Sequence, residues 1–127
     1  MRKFRKAFTM VELVFVIVVV GILAGLAIPK LAATRDDAII AKARTTVGAL
    51  RTAIGTERQK RILRGDFSDI NGSTAEGLLE YGLDSTYWTR SGDAFIFTYH
   101  GNSCQFTVEN NKLKRESNCS VDGLDDL

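Results

Sequence analysis

The sequence predicts an α+β chain. A long N-terminal helix, membrane-spanning in its first half and amphipathic in its second, packs on a small antiparallel sheet of three to four strands. Three observations predict it. Residues 13–28 carry no polar side chain, and from 8 to 28 only Thr9 and Glu12 are polar. Ile39, Ala43, Val47, Leu50 and Ile54 then recur at spacings of four, four, three and four, one stripe of a helix. Beyond residue 90 the period changes to two, as strands require.

A helix over residues 8–28 is roughly 31 Å long, about the thickness of a bilayer's hydrocarbon core. The amphipathic helix extends from Leu31 to about Leu63. Gly48 and Gly55 each weaken it by roughly 1 kcal/mol relative to Ala. Arg58, Lys60, Arg61 and Arg64 crowd its end, where cations complement the helix dipole, and Gly65 marks its stop. A solvated, dipole-matched end accounts for this cluster better than a nucleic-acid or lipid site.

Residues 66–86 form a connecting loop. Within it Ser73-Thr74-Ala75-Glu76 has the form of a capping box, which predicts a short helix through about Tyr81. Phe95, Phe97 and Tyr99 share one face of a strand, and Cys104, Phe106 and Val108 one face of the next. Ser91-Gly92-Asp93, His100-Gly101-Asn102 and Asn110-Asn111 are turn signals between strands. With residues 87–90 and 112–117 as outer strands, the pattern is a meander whose inner face covers the 39–54 stripe.

The chain has 127 residues, room for one small folded domain and not for a multidomain enzyme. Its net charge is +2, unevenly placed. Arg2, Lys3, Arg5 and Lys6 are four of the 17 basic residues; without them 13 basic face 15 acidic side chains. Bulk charge therefore gives no support to nucleic-acid binding.

Basic residues followed by an apolar run could be a secretory signal peptide, with Gly25 and Ala27 before a cut at Ile28. Two features oppose this. Glu12 is costly at the head of an apolar segment and gives a signal peptide nothing. The run also exceeds a usual signal core and continues past Pro29 into helical periodicity. A plain membrane anchor explains the length but not Glu12.

The stretch Lys6-Ala7-Phe8-Thr9-Met10-Val11-Glu12, with the apolar run behind it, resembles the signal of the type IV pilin and type II secretion pseudopilin superfamily. The resemblance implies cleavage of residues 1–7 between Ala7 and Phe8 by a prepilin peptidase, then N-methylation of Phe8. The family has Glu at the fifth position after the cut, where Glu12 stands. Gly21 and Pro29 match its fourteenth and twenty-second positions. Ala7 departs from the Gly usual before the cut. The resemblance implies that residues 8–29 form a membrane and filament-core helix, and that 30–127 form a periplasmic or extracellular domain. The implied partners are identical or homologous subunits through the N-terminal helix, the peptidase and methyltransferase, and inner-membrane assembly machinery.

An ionisable group in a membrane segment needs a partner. For Glu12 the resemblance implies the Phe8 amine of a neighbouring subunit, a contact that sets register more than stability. The basic leader orients the C-terminal part outward. Gly21, Gly25 and Pro29 are weak points where the resemblance implies local melting on assembly; a fixed kink is the alternative.

Cys104 and Cys119, 15 apart on the exported side, are the only cysteines, and an oxidising compartment makes a disulfide the default. Pilins often carry such a bridge. A metal pair or CxxC redox motif lacks the spacing and ligands.

Catalysis finds little support. His100 lies in a turn without a nucleophile, and no phosphate-loop, HExxH or GxSxG motif is present. No cofactor or metal is expected. Asp122, Asp125 and Asp126 invite comparison with the calcium site of major secretion pseudopilins, but EF-hand spacing is absent and a solvated acidic tail explains them. The Asp-Pro-Trp-Gly stretch of major pseudopilins is missing, which tilts toward a pilin or minor subunit. Asn71 and Asn118 are N-x-Ser acceptors for glycosylation, each with an acid two residues earlier, and chance is the alternative. The expected function is a structural subunit of a type IV filament. The rival is a membrane-tethered binding or enzymatic domain that never polymerises.

Overall fold

The computed structural model describes residues 6–127 and divides into two compact units, Met1–Ala38 and Ile39–Leu127. Arg2, Lys3 and Arg5 of the basic leader lie outside the described residues.

The first unit is the start of helix α1 (Met10–Leu63). Its β-branched run from Val16 to Val20 has modest helix propensity, but in hydrocarbon only a helix satisfies every backbone group within one segment. Leu13, Ile17, Leu23 and Ile28 are all more than half exposed, and none of the most apolar stretch is buried. The helix runs through Pro29, whose missing N–H leaves the Gly25 carbonyl without its usual partner.

The second unit holds the core. The C-terminal part of α1 buries Ala43, Val47, Leu50 and Ile54, with Ile39 packed partly against them, as the stripe predicts. The helix stops at a Schellman motif: Gly65 N–H donates to Ile62 O and Asp66 N–H to Arg61 O (3.0 and 2.9 Å). Gly65 takes φ +78°, which a Cβ would disfavour.

The short helix α2 spans Gly72–Gly77, not Ser73 to Tyr81. Its cap is Asn71, whose Oδ1 accepts the Thr74 N–H at 2.8 Å. The expected box fails because Glu76 turns instead to the Arg90 guanidinium. Asp93 Oδ1 accepts the Gly72 N–H at 2.7 Å. A Cβ on Gly72 would sit 2.5 Å from Gly92 O, so only glycine lets the loop approach this turn.

Four antiparallel strands follow in sheet order β1 (Trp88–Ser91), β2 (Ala94–Tyr99), β3 (Asn102–Glu109) and β4 (Lys112–Arg115). β1 starts one residue later than expected because the Tyr87 and Trp88 N–H groups turn back to Asp84 O. β4 ends at Arg115, short of Ser117. The period-two reading holds. Phe95 faces Phe106, Phe97 faces Cys104 and Val108 faces Leu113 across the ladder, all buried. The β2–β3 and β3–β4 loops are two residues each, His100-Gly101 and Asn110-Asn111, and all four residues have positive φ as type I′ turns demand. Rings of Trp88 and Phe97 meet at 5.2 Å.

Asp122, Asp125 and Asp126 are solvent-exposed as expected, but the segment that carries them is not a free tail. Val121 and Leu124 are buried in the core. Arg44 grips Asp126 through both oxygens at 2.7 and 3.1 Å, and Arg51 Nη2 donates to Leu127 O at 2.7 Å. The segment is drawn in because the Cys104–Cys119 disulfide and the Ser120 N–H to Ser103 O bond (2.9 Å) tie it to β3.

Candidate assembly and processing site

Residues 6–9 are non-helical and precede α1. Thr9 caps the helix: its Oγ1 accepts the Glu12 N–H at 3.2 Å, while its carbonyl accepts Leu13 N–H at 3.1 Å. Thr9 and Glu12 thus occupy the first and last places of a capping box, with the carboxylate at the positive end of the helix dipole. Thr9 was legible as a cap from Thr-x-x-Glu ahead of an apolar run, and the sequence reading above missed it.

Ala7 and Phe8 sit in this non-helical stretch, Phe8 being 83% exposed. Lys6, Ala7, Phe8 and Glu12 line one shallow recess of about 430 Å³. The Ala7–Phe8 bond lies in this non-helical, exposed stretch. Among the described residues no cation lies within ion-pair distance of Glu12. Gly21 lies on the exposed helix with open space around it, and Pro29 lies eight residues further along.

The remaining sequence candidates are dispersed. The Cys104–Cys119 bridge is formed. Asn71 is exposed and caps α2; Asn118 is exposed beside the bridge. Asp126 is engaged by Arg44, and Asp125 Oδ1 accepts the Gly123 N–H at 3.2 Å. Among the described residues no three acidic, Cys or His groups are arranged to hold a metal. His100 stacks on Tyr99 at 4.1 Å. In the basic helix end, Arg61 pairs with Glu57 at 3.1 Å and reaches Ser68 Oγ at 3.1 Å.

Ion pairs of the second unit tune its carboxylates. The Lys42 ammonium, 2.7 Å away, holds the Asp84 carboxyl below its ordinary range, helped by the Thr86 N–H. The Arg44 guanidinium does the same for Asp126. The Ser68 N–H lowers Asp66.

Comparison with known proteins agrees with this geometry. Residues 2–28 match the prokaryotic N-terminal methylation motif. The chain is 30% identical over 120 residues to the type IV narrow pilus major component PilA5 of Thermus thermophilus, covering 91% of this chain and 97% of that protein. No solved structure matches. An unpaired carboxylate heading an exposed apolar helix, in a chain similar to a pilin over nearly its whole length, places the chain in the type IV pilin family, whose members are structural filament subunits and not enzymes.

Proposed function

We propose that this chain builds a type IV pilus rather than a type II secretion pseudopilus, and that it is matured by cleavage between Ala7 and Phe8 and methylation of the new Phe8 amine. Before assembly residues 8–29 anchor it in the inner membrane, with 30–127 on the periplasmic side. After assembly that helix lies in the filament core. The observation that carries the reading is Glu12: the one charge in the segment from 8 to 28, exposed and without a partner among the described residues. A membrane tether has no use for it; a stack of subunits does, because each Phe8 amine can meet the Glu12 of a neighbour. The pilus, as against the secretion pseudopilus, is favoured by the near full-length similarity to a chain named as a pilus component. Gly21 and Pro29 would let the helix loosen locally as it leaves the membrane.

The test is intact mass with N-terminal sequencing, on protein from native membranes and from sheared filaments. The expected chain starts at N-methyl-Phe8 in both. A chain starting near Ile28 would make the apolar run a discarded signal and overturn the reading.

A further inference from the structure

Two clefts open along the second unit, both walled by α1. On one flank Thr45, Thr46 and Ala49 face residues 79–84 across about 470 Å³. On the other, Arg51, Gly55, Arg58 and Gln59 face Asn111 and Lys112 across about 460 Å³. At 3.6 residues per turn these two sets lie on opposite sides of the buried stripe.

The flanks differ in shape and charge. On the rim of the first cleft Tyr81 projects, 92% exposed, beside Glu80. An exposed tyrosine alone signals nothing. Here its neighbour Glu80 has no ion-pair partner among the described residues. The second cleft is lined by three cations and no acid. Arg58 Nη1 is enclosed within the chain in a long ion pair with Asp69 Oδ1 (3.9 Å), while about a third of the Arg58 side chain stays exposed. Lys112 is unpaired among the described residues. Gly55 leaves the floor open, with nothing within 4 Å of where its Cβ would be. Lys112 and the exposed part of the Arg58 side chain leave this cleft positively charged, so it suits an incoming carboxylate.

We propose that the Glu80–Tyr81 knuckle of one chain seats in the Arg51–Arg58–Lys112 cleft of a second copy. The ring fills the mostly apolar cleft, and the Glu80 carboxylate meets Lys112 and Arg58. The occupant is another copy because a chain cannot reach its own opposite flank, and because the acid and the cations are complementary. The contact is heterologous, and heterologous contacts that do not close generate open helical arrays. The geometry supplies the offset: the second cleft is centred about ten residues further along α1, roughly 15 Å up the axis. Each added subunit would thus be displaced along the helix and not merely rotated around a ring. This inference rests on the filament reading and adds an outer contact to the one made by the N-terminal helix.

The test replaces Tyr81 with the photo-crosslinker p-benzoylphenylalanine in the full chain, with irradiation of assembled filaments. The expected product is a crosslinked dimer whose mapped peptides fall in residues 51–59 or 111–113 of the partner. Glu80→Lys should lower filament yield by about tenfold through like-charge contact, and Glu80→Lys with Lys112→Glu should restore most of it. Both positions are on the surface, so an intact Cys104–Cys119 bridge and an unchanged melt exclude misfolding. Filaments whose Tyr81 crosslinks map elsewhere, or charge reversal without effect, would overturn this contact and leave the filament reading standing. A wild-type chain that forms no filaments would overturn both.

Discussion

Leu23 and Leu50 belong to one helix and live in different solvents. Leu50 is fully buried between α1 and the sheet, among Val47, Phe95 and Phe106 in the core cluster; Leu23 is 60% exposed with no core around it. The second unit completes its burial within its own chain. The first unit leaves an apolar surface that only lipid or other subunits can cover. The core and the large apolar contact face are thereby separated along the sequence. Residues from 39 onward determine whether the domain is stable, and residues before 39 supply the apolar helix that lipid or other subunits must cover.

The largest expected effect breaks the assembly side alone. Glu12→Ala should reduce filament yield by roughly a hundredfold or more, since removing one partner of a buried charge pair costs about 3–5 kcal/mol. The melt of the outer unit should be unchanged. Trp88, the single tryptophan, is buried in that unit, so its fluorescence in detergent-solubilised full chain reports it specifically. Normal filament yield would end the pairing role of Glu12.

Next comes the same substitution at the two leucines. Leu50→Ala should destabilise the outer unit by about 2–5 kcal/mol, lowering its melting temperature by roughly 8 °C or more. Leu23→Ala should leave the Trp88 melt unchanged within about 0.5 kcal/mol. Equal effects would mean that the two units do not fold independently.

The stripe that separates these leucines was readable because a helix with one buried face must repeat its apolar residues at three and four. The strands were readable for the same reason at period two, and the turns because Asn-Asn and His-Gly tolerate positive φ. The failures were local competitions. Asn71 and Ser73 are both good caps, and the choice fell to Asn71 because Glu76 had a better partner in Arg90, 14 residues away. The C-terminal segment misled through its aspartates. Val121 and Leu124, three apart after a bridging cysteine, were the signal that it packs inward. At the assembly site, Ala7, Phe8 and Glu12 were legible as a motif. The cap at Thr9 was hidden behind the more conspicuous charge.

The disulfide sharpens the comparison from the other side. Replacing Cys104 and Cys119 together with Ala frees a loop of 15 residues, worth about 3 kcal/mol in the chain-entropy model. The Trp88 melt should fall accordingly. Membrane insertion of the first unit should persist, read as retention in the carbonate-washed membrane fraction. Loss of insertion in the double variant would show that the anchor depends on the outer fold.

The smallest effect is acid sensitivity confined to the second unit. Asp84 and Asp126 are held below the ordinary carboxylate range by hydrogen bonds from Lys42 and Arg44. A folded-state pKa lower than the unfolded one means that the unfolded chain takes up protons first. The stabilisation is therefore fully present above the ordinary carboxylate value of about 4 and disappears as pH falls through the depressed folded values. Both pairs are solvent-exposed, so the loss is modest and weakens further with salt. The Trp88 melting temperature should be flat from neutral pH to about 5 and decline below about 4. In Asp84→Asn with Asp126→Asn, the plateau should be slightly lower and the acid decline shallower, because less is left to protonate. An acid limb of unchanged slope in that variant would assign the sensitivity to other carboxylates, with Asp66 and its Ser68 N–H the first to examine.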